Sequence, residues 1–194
     1  RPGPGPRITP RAGPAVHRLL SGRRATARDS PTDATLQGWV SHTLTQTASL
    51  PEPTPELSIR ITDNEEAADL NQTYRAKAGP TNVLSFPADV PAETGSGLLG
   101  DLVICAPLVQ LEAAQQHKSE EAHWAHLVIH GVLHLLGHDH QIPAEAEQME
   151  ALEIDLLGHL GFPNPYNPEQ PPEGLSTGTT NASWNRKNDP GWTD

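Results

Sequence analysis

The central part of the chain carries two regular patterns of apolar and polar residues. Apolar residues recur every three or four positions in five stretches, which predicts helices at about residues 33–49, 63–75, 107–114, 119–137 and 143–161. Three shorter apolar or alternating stretches predict strands at residues 57–61, 83–86 and 99–105. Helices and strands interleave, so we predict a single α/β (α+β) domain with a small mixed sheet flanked by about five helices.

This periodicity is confined to residues 31–166, which we predict to form the folded domain. Residues 1–30 are rich in Arg, Pro and Gly and lack the apolar segment of a secretory signal. An organelle transit peptide, a basic arm for nucleic acid and a stretch foreign to the domain all remain open, and we expect a disordered extension. Residues 167–194 lose all periodicity and are expected to form a disordered tail.

The charge and cysteine content of the chain exclude several classes of function and site. The first 30 residues hold seven arginines, whereas residues 31–166 hold four Lys/Arg and nineteen Asp/Glu, a net charge of −15. Such an acidic body argues against broad, nonspecific binding of nucleic acid. The single cysteine, Cys105, excludes an internal disulfide and a cysteine zinc cluster, so a reducing compartment such as the cytoplasm fits best. No apolar run approaches the ~20 residues that span a bilayer, so we expect no membrane partner.

A metal site is predicted by three histidines with the spacing H-x3-H-x5-H. His130 and His134 are four positions apart and therefore lie on one face of a helix, about 40° from each other. A third ligand must come from beyond the helix, and Gly137 accepts the left-handed backbone that lets His140 return to the ion. Three imidazoles leave a fourth position open, which is typical of a catalytic zinc site, although nickel, copper or cobalt would also suit them. Upstream, His123 and His126 continue the same helical stripe. They are candidates for outer partners of the metal ligands or for substrate contacts, and we favour their interpretation as polar core residues.

The spacing of these residues is that of the metzincin proteases, H-E-x-x-H-x-x-G-x-x-H, with one departure. Gly131 stands where the proteases have the glutamate that transfers the proton in peptide hydrolysis, so proteolysis is doubtful. Cleavage of a phosphodiester remains open, because a metal lowers the pKa of bound water and polarises an anionic oxygen. Arg75 could bind the phosphate through two parallel hydrogen bonds, and an ordinary surface ion pair is an equal alternative.

The stretch from Ser119 to His140 strongly resembles the YbeY family of bacterial single-strand endoribonucleases and ribosomal RNA maturation factors. The resemblance covers residues 33–166 and extends to four further motifs, at residues 70–75, 80–87, 99–105 and 150–153. It implies a zinc ion on His130, His134 and His140 and an essential arginine at the position of Arg75.

The resemblance also implies a substrate and partners. We expect a cytoplasmic, zinc-dependent endoribonuclease that acts on single-stranded RNA in late 3′-end maturation of the small-subunit (16S) ribosomal RNA and in ribosome quality control. Arg75, Lys77 and Ser85 are expected to contact the substrate, and the small ribosomal subunit and assembly factors are expected partners. Because the body is acidic, Arg75, Lys77 and the metal would form a local positive cleft, with weak and salt-dependent binding of free RNA. A metallopeptidase-like hydrolase and a noncatalytic zinc-containing assembly factor are the alternatives.

Overall fold

The structure, a computed structural model, describes residues 13–20, 30–47, 55–90, 96–138 and 142–167. These contain four strands, β1 (Ala15–Leu20), β2 (Glu56–Thr62), β3 (Val83–Pro87) and β4 (Leu98–Cys105). They also contain five helices, α1 (Asp33–Thr47), α2 (Asn64–Arg75), α3 (Ala106–Gln115), α4 (Glu120–Leu135) and α5 (Pro143–His159). Within these ranges, no helix combines the length and apolar character needed to cross a membrane.

The four strands form one mixed sheet in the order β1-β2-β4-β3. Strands β1, β2 and β4 run parallel, and β3 pairs with β4 in the antiparallel direction at one edge. The prediction of an α+β domain with a small mixed sheet and about five helices is therefore confirmed.

Strand β1 corrects the prediction that residues 1–30 are a disordered extension. It pairs with β2 from Ala15 opposite Glu56 onward, and Arg18 donates a hydrogen bond of 3.0 Å to the carbonyl of Pro31 and forms an ion pair with Asp33. The strand is short and surrounded by Arg, Pro and Gly, and its partner is distant in sequence, so no local pattern indicated it. Residues 1–12, 21–29 and 168–194 lie outside the described residues.

The two faces of the sheet carry different helices. Leu57, Ile59 and Ile61 of β2 are fully buried in a hydrophobic core shared with apolar residues of α1 and α4. The opposite face of β2 contacts α2, because Glu66 of that helix forms an ion pair of 2.6 Å with Arg60 and accepts a hydrogen bond of 2.8 Å from Thr62. Helices α1 and α4 therefore lie on one face of the sheet and α2 lies on the other.

Helix α4 is the most deeply buried element of the core. All of its residues from Ala122 to Leu133 are buried. Its start is stabilised by a side-chain cap, since the Ser119 hydroxyl accepts a hydrogen bond of 3.1 Å from the Ala122 amide. Glu120 and Glu121 occupy the first turn, where negative charge is favourable.

Helix α4 ends in a Schellman motif built on Gly137. The Gly137 amide donates to the carbonyl of His134 at 3.0 Å, and the His138 amide donates to that of Leu133 at 3.0 Å. Gly137 has a φ of 92°, which confirms the predicted left-handed residue at the point where the chain leaves the helix.

Replacement of Gly137 by alanine should destabilise the protein by about 1–2 kcal/mol. An added Cβ meets nothing within 4 Å, so the expected cost is that of the positive φ alone. Urea denaturation of the Gly137→Ala variant measures it. Asn adopts this conformation more readily than Ala, so Gly137→Asn should lose less. Equal stability of wild type and Gly137→Ala would contradict the left-handed conformation of residue 137.

Candidate metal centre

Two of the three predicted metal ligands converge in the structure. The Nε2 atoms of His130 and His134, one turn apart on α4, lie 3.0 Å from each other. Two ligand nitrogens that share a tetrahedral ion at about 2.0 Å would lie about 3.3 Å apart, so this arrangement fits a shared metal ion. The third predicted ligand, His140, lies outside the described residues.

Glu153 of α5 holds the other nitrogen of His130. The His130 Nδ1 atom lies 2.5 Å from Glu153 Oε1, and the glutamate is fully buried. A hydrogen bond from Nδ1–H to a carboxylate leaves the lone pair on Nε2, which is the tautomer that a metal requires. The structure thus supplies the outer partner that metal-binding histidines usually have.

Tyr166 and His126 complete a buried polar cluster around Glu153. The Tyr166 hydroxyl donates a hydrogen bond to Glu153 Oε2, and it lies 3.5 Å from His126 Nε2. His126 Nε2 is also 3.5 Å from Glu153 Oε2. His123 and His126 are 0% and 1% exposed, which confirms that both histidines are polar core residues.

The charges in this cluster favour an ionised Glu153. Desolvation by burial would raise the pKa of Glu153, but attraction to His130 and His126 and their hydrogen bonds outweigh it and lower the pKa. Burial lowers the pKa of His126, which favours the neutral imidazole. A carboxylate next to His130 therefore strengthens that histidine as a ligand.

An alternative metal site would use Glu153 directly. One ligand atom each from His126, His130 and Glu153 lie within 4.8 Å of one another. However, the 2.5 Å separation of His130 Nδ1 and Glu153 Oε1 is well below the about 3.3 Å expected of two ligands on one tetrahedral ion. This distance is that of a charge-assisted hydrogen bond, so we assign Glu153 as the partner of a ligand.

Glu153 and Tyr166 were not predicted as site residues. Glu153 carried a detectable signal, because it follows Met149 by one helical turn on the buried face of α5. A carboxylate on an apolar face needs a partner, which points to a histidine elsewhere. Tyr166 follows the last helix and had no comparable signal.

His123 serves a separate contact at the start of α4. Its Nε2 atom lies 2.6 Å from Glu112 Oε2 on α3. Glu112 also accepts hydrogen bonds of 3.2 and 3.1 Å from the amide of Asn82, immediately before β3. This contact joins α3, α4 and the residue before β3. The His123 ring also lies 6.3 Å, centroid to centroid, from the His126 ring, which belongs to the cluster around Glu153. Cys105 is 1% exposed, and burial raises the pKa of its thiol to about 11.

Gly131 lies where α4 crosses β4. A Cβ on Gly131 would lie 2.7 Å from Cδ2 of Leu102, which is fully buried. The glutamate of the protease pattern therefore does not fit at this position without displacing the core. The departure from that pattern thus has a packing reason.

The predicted substrate residues occupy different sides of the sheet. Ser85 is paired with Leu102, whose side chain abuts Gly131, so Ser85 lies beside the metal helix. Arg75 is the last residue of α2, on the opposite face, and its side chain is exposed. Within the part of the chain that the structure describes, its guanidinium makes no hydrogen bond or ion pair. Lys77 is half-buried in the following turn.

The fold and the site define an α+β protein with a candidate histidine metal centre on its central helix. Residues 24–161 match the family described as Endoribonuclease YbeY. The Endoribonuclease YbeY of Pseudomonas putida (strain W619) is 56% identical over 145 residues, which cover 74% of this chain and 90% of that protein. The Endoribonuclease YbeY of Stutzerimonas stutzeri (strain A1501) is 55% identical over 147 residues, covering 75% and 89%.

Among solved structures, the solution structure of a Thermotoga maritima protein is similar with a TM-score of 0.48 and 22% identity, covering 75% of this chain and 91% of that one. The family match and the identity to the curated relatives place the chain plainly: it belongs to the YbeY endoribonuclease family.

Proposed function

We propose that this protein is a zinc-dependent endoribonuclease that cuts single-stranded RNA during 3′-end maturation of 16S ribosomal RNA and in ribosome quality control. Membership of the family supports the activity. The observation that carries the metal dependence is the 3.0 Å approach of the His130 and His134 Nε2 atoms, with Nδ1 of His130 held by a buried carboxylate. The cytoplasm as location and the small ribosomal subunit and assembly factors as partners are parts of the same proposal.

The proposed roles follow from the chemistry of each group. His130, His134 and His140 would hold the ion, which when bound supplies a Lewis acid for an anionic oxygen. Arg75 would bind a phosphate of the substrate, because a guanidinium forms two parallel hydrogen bonds to phosphate oxygens. Ser85, beside the metal helix, and Lys77 would add further contacts to the same strand.

The position of Arg75 favours a single-stranded substrate. Helix α2, which carries Arg75, and helix α4, which carries His130 and His134, pack on opposite faces of the sheet, and β3 forms the edge near them. The Tyr74 ring, next to Arg75, packs on Phe86 of β3 with ring centroids 5.1 Å apart. An RNA that contacts both Arg75 and the metal centre would bend around the β3 edge. A flexible single strand bends in this way at a lower free-energy cost than a duplex. The net charge of −15 on residues 31–166 should keep the affinity of the protein for free RNA low and salt-dependent.

The test compares purified wild type, His134→Ala and Arg75→Glu, each with its metal content measured, on a single-stranded RNA from the small-subunit 3′ end. We expect His134→Ala to lose metal and cleavage, by more than the ~10–100-fold typical of losing only an outer partner. Arg75→Glu should keep its metal and lose cleavage. Arg75→Lys should fall between, since it keeps the charge but not the two-pronged contact.

The control for the histidine variant is His159→Ala, an exposed helical histidine on α5. It should retain metal and activity. Equal cleavage by wild type, His134→Ala and Arg75→Glu would mean that a contaminant cuts the RNA. The noncatalytic assembly factor would then be the better proposal.

A further inference from the structure

We infer that Tyr166, in the segment that follows α5, is a positioning residue of the metal centre. The inference rests on the proposed metal site and adds to it a residue that touches neither the ion nor the substrate. Tyr166 would act through Glu153, which in turn orients His130.

The two carboxylate oxygens of Glu153 have different partners. Oε1 lies 2.5 Å from His130 Nδ1, and Oε2 accepts the hydrogen bond of the Tyr166 hydroxyl. Glu153 is fully buried, so no bulk water competes for either oxygen. Because both oxygens are held, the carboxylate plane is fixed, and with it the direction of the His130 ring.

Without the Tyr166 hydroxyl, the partner left to Oε2 among the described residues would be His126 Nε2, at the long distance of 3.5 Å. The carboxylate could then turn toward His126 and give up its geometry with His130. The Tyr166 hydroxyl therefore favours the hydrogen bond of Glu153 to His130 over one to His126, which lies one helical turn earlier on α4.

Contacts of the segment that follows α5 set the position of the hydroxyl. The Asn164 side chain accepts hydrogen bonds from the backbone amides of Tyr166, at 2.9 Å, and Asn167, at 3.3 Å. Phe162 packs edge-on against Trp39 of α1, with ring centroids 6.2 Å apart. The Tyr166 ring itself stands at 81° to the His126 ring, 5.5 Å away. The segment is thus anchored by contacts to α1 and to α4.

The test uses the two tyrosines of the chain as a matched pair. Tyr166→Phe removes the hydroxyl and keeps the ring against His126, while Tyr74→Phe makes the same change at a residue that is 62% exposed on the other side of the sheet. Zinc affinity is measured by competition with a chromophoric chelator on the full chain. We expect Tyr166→Phe to bind zinc more weakly by a factor of up to about 10, less than the ~10–100-fold typical of losing the outer partner itself, and Tyr74→Phe to match wild type. The visible spectrum of the cobalt-loaded protein should change in Tyr166→Phe alone.

A purely structural role for Tyr166 gives a different result. It would lower the thermal stability of the metal-free protein and leave zinc affinity and the cobalt spectrum unchanged, which would overturn the inference. A second variant, Asn164→Ala, loosens the segment without touching the cluster and should weaken zinc binding by a smaller factor. Failure of wild type to bind zinc would overturn the proposed metal centre itself, whereas wild-type affinity in both variants would overturn only the role of Tyr166.

Discussion

Glu153→Ala is expected to lower the free energy of unfolding by about 3–5 kcal/mol and to weaken zinc binding by more than Tyr166→Phe does. The large loss of stability follows from burial, because Glu153 is fully buried and accepts hydrogen bonds from His130 and Tyr166. Removing one member of a buried charged cluster leaves the others desolvated and without their partner. Urea denaturation in the presence of a chelator measures the loss of stability without any contribution from metal.

The same helix offers a matched control for Glu153. Asp155 is 66% exposed and pairs weakly, at 3.7 Å, with His159, so Asp155→Ala should change stability by less than about 0.5 kcal/mol. Glu153→Gln keeps the shape and removes the charge, so it should lose less stability than Glu153→Ala but should still bind zinc more weakly. If Glu153→Ala unfolds at the same urea concentration as Asp155→Ala, the buried cluster does not hold the fold together.

The elements that the sequence predicts correctly are those with local signals. Each of the five helices repeats its apolar residues over several turns, and α2 and α4 also begin at the side chains that cap them, Asp63 and Ser119. Strand β1 was missed because its place in the sheet depends on pairing with β2, about 40 positions away. A short parallel edge strand has no turn residues or long alternation to mark it.

The same distinction between local and distant contacts applies to the residues of the candidate metal centre. The convergence of His130 and His134 follows from helical spacing alone, and the left-handed Gly137 follows from the need to end α4 there. Glu153 reaches His130 from 23 positions away, and only the packing of α5 on α4 brings them together. The roles of Arg75 and His140 stay predictions, since the first lies on another face of the sheet and the second lies outside the described residues.

Gly131 is the one position at which this site departs from the metzincin protease pattern, and packing of the fold explains the departure. The proposed metal ligand His130 precedes Gly131, and the missing side chain of Gly131 allows Leu102 of β4 to pack directly on the helix backbone. The Leu102 side chain thus occupies the space that a glutamate at position 131 would need. The same packing lets Ser85, the neighbour of Leu102 across the β3–β4 pair, lie beside the metal helix.

Gly131→Glu, which restores the protease pattern, should therefore destabilise the protein by at least about 3 kcal/mol and produce no peptidase. Its Cβ would lie 2.7 Å from Leu102 Cδ2, and its carboxylate would be buried among apolar side chains. Gly131→Ala tests the steric part alone and should cost about 1–2 kcal/mol in spite of the higher helix propensity of alanine. Gly38 of α1 is the control: a Cβ there meets nothing within 4 Å, so Gly38→Ala should stabilise by about 0.5–1 kcal/mol. A stable Gly131→Glu variant that cleaves peptides would overturn both the packing argument and the assignment of this site to RNA.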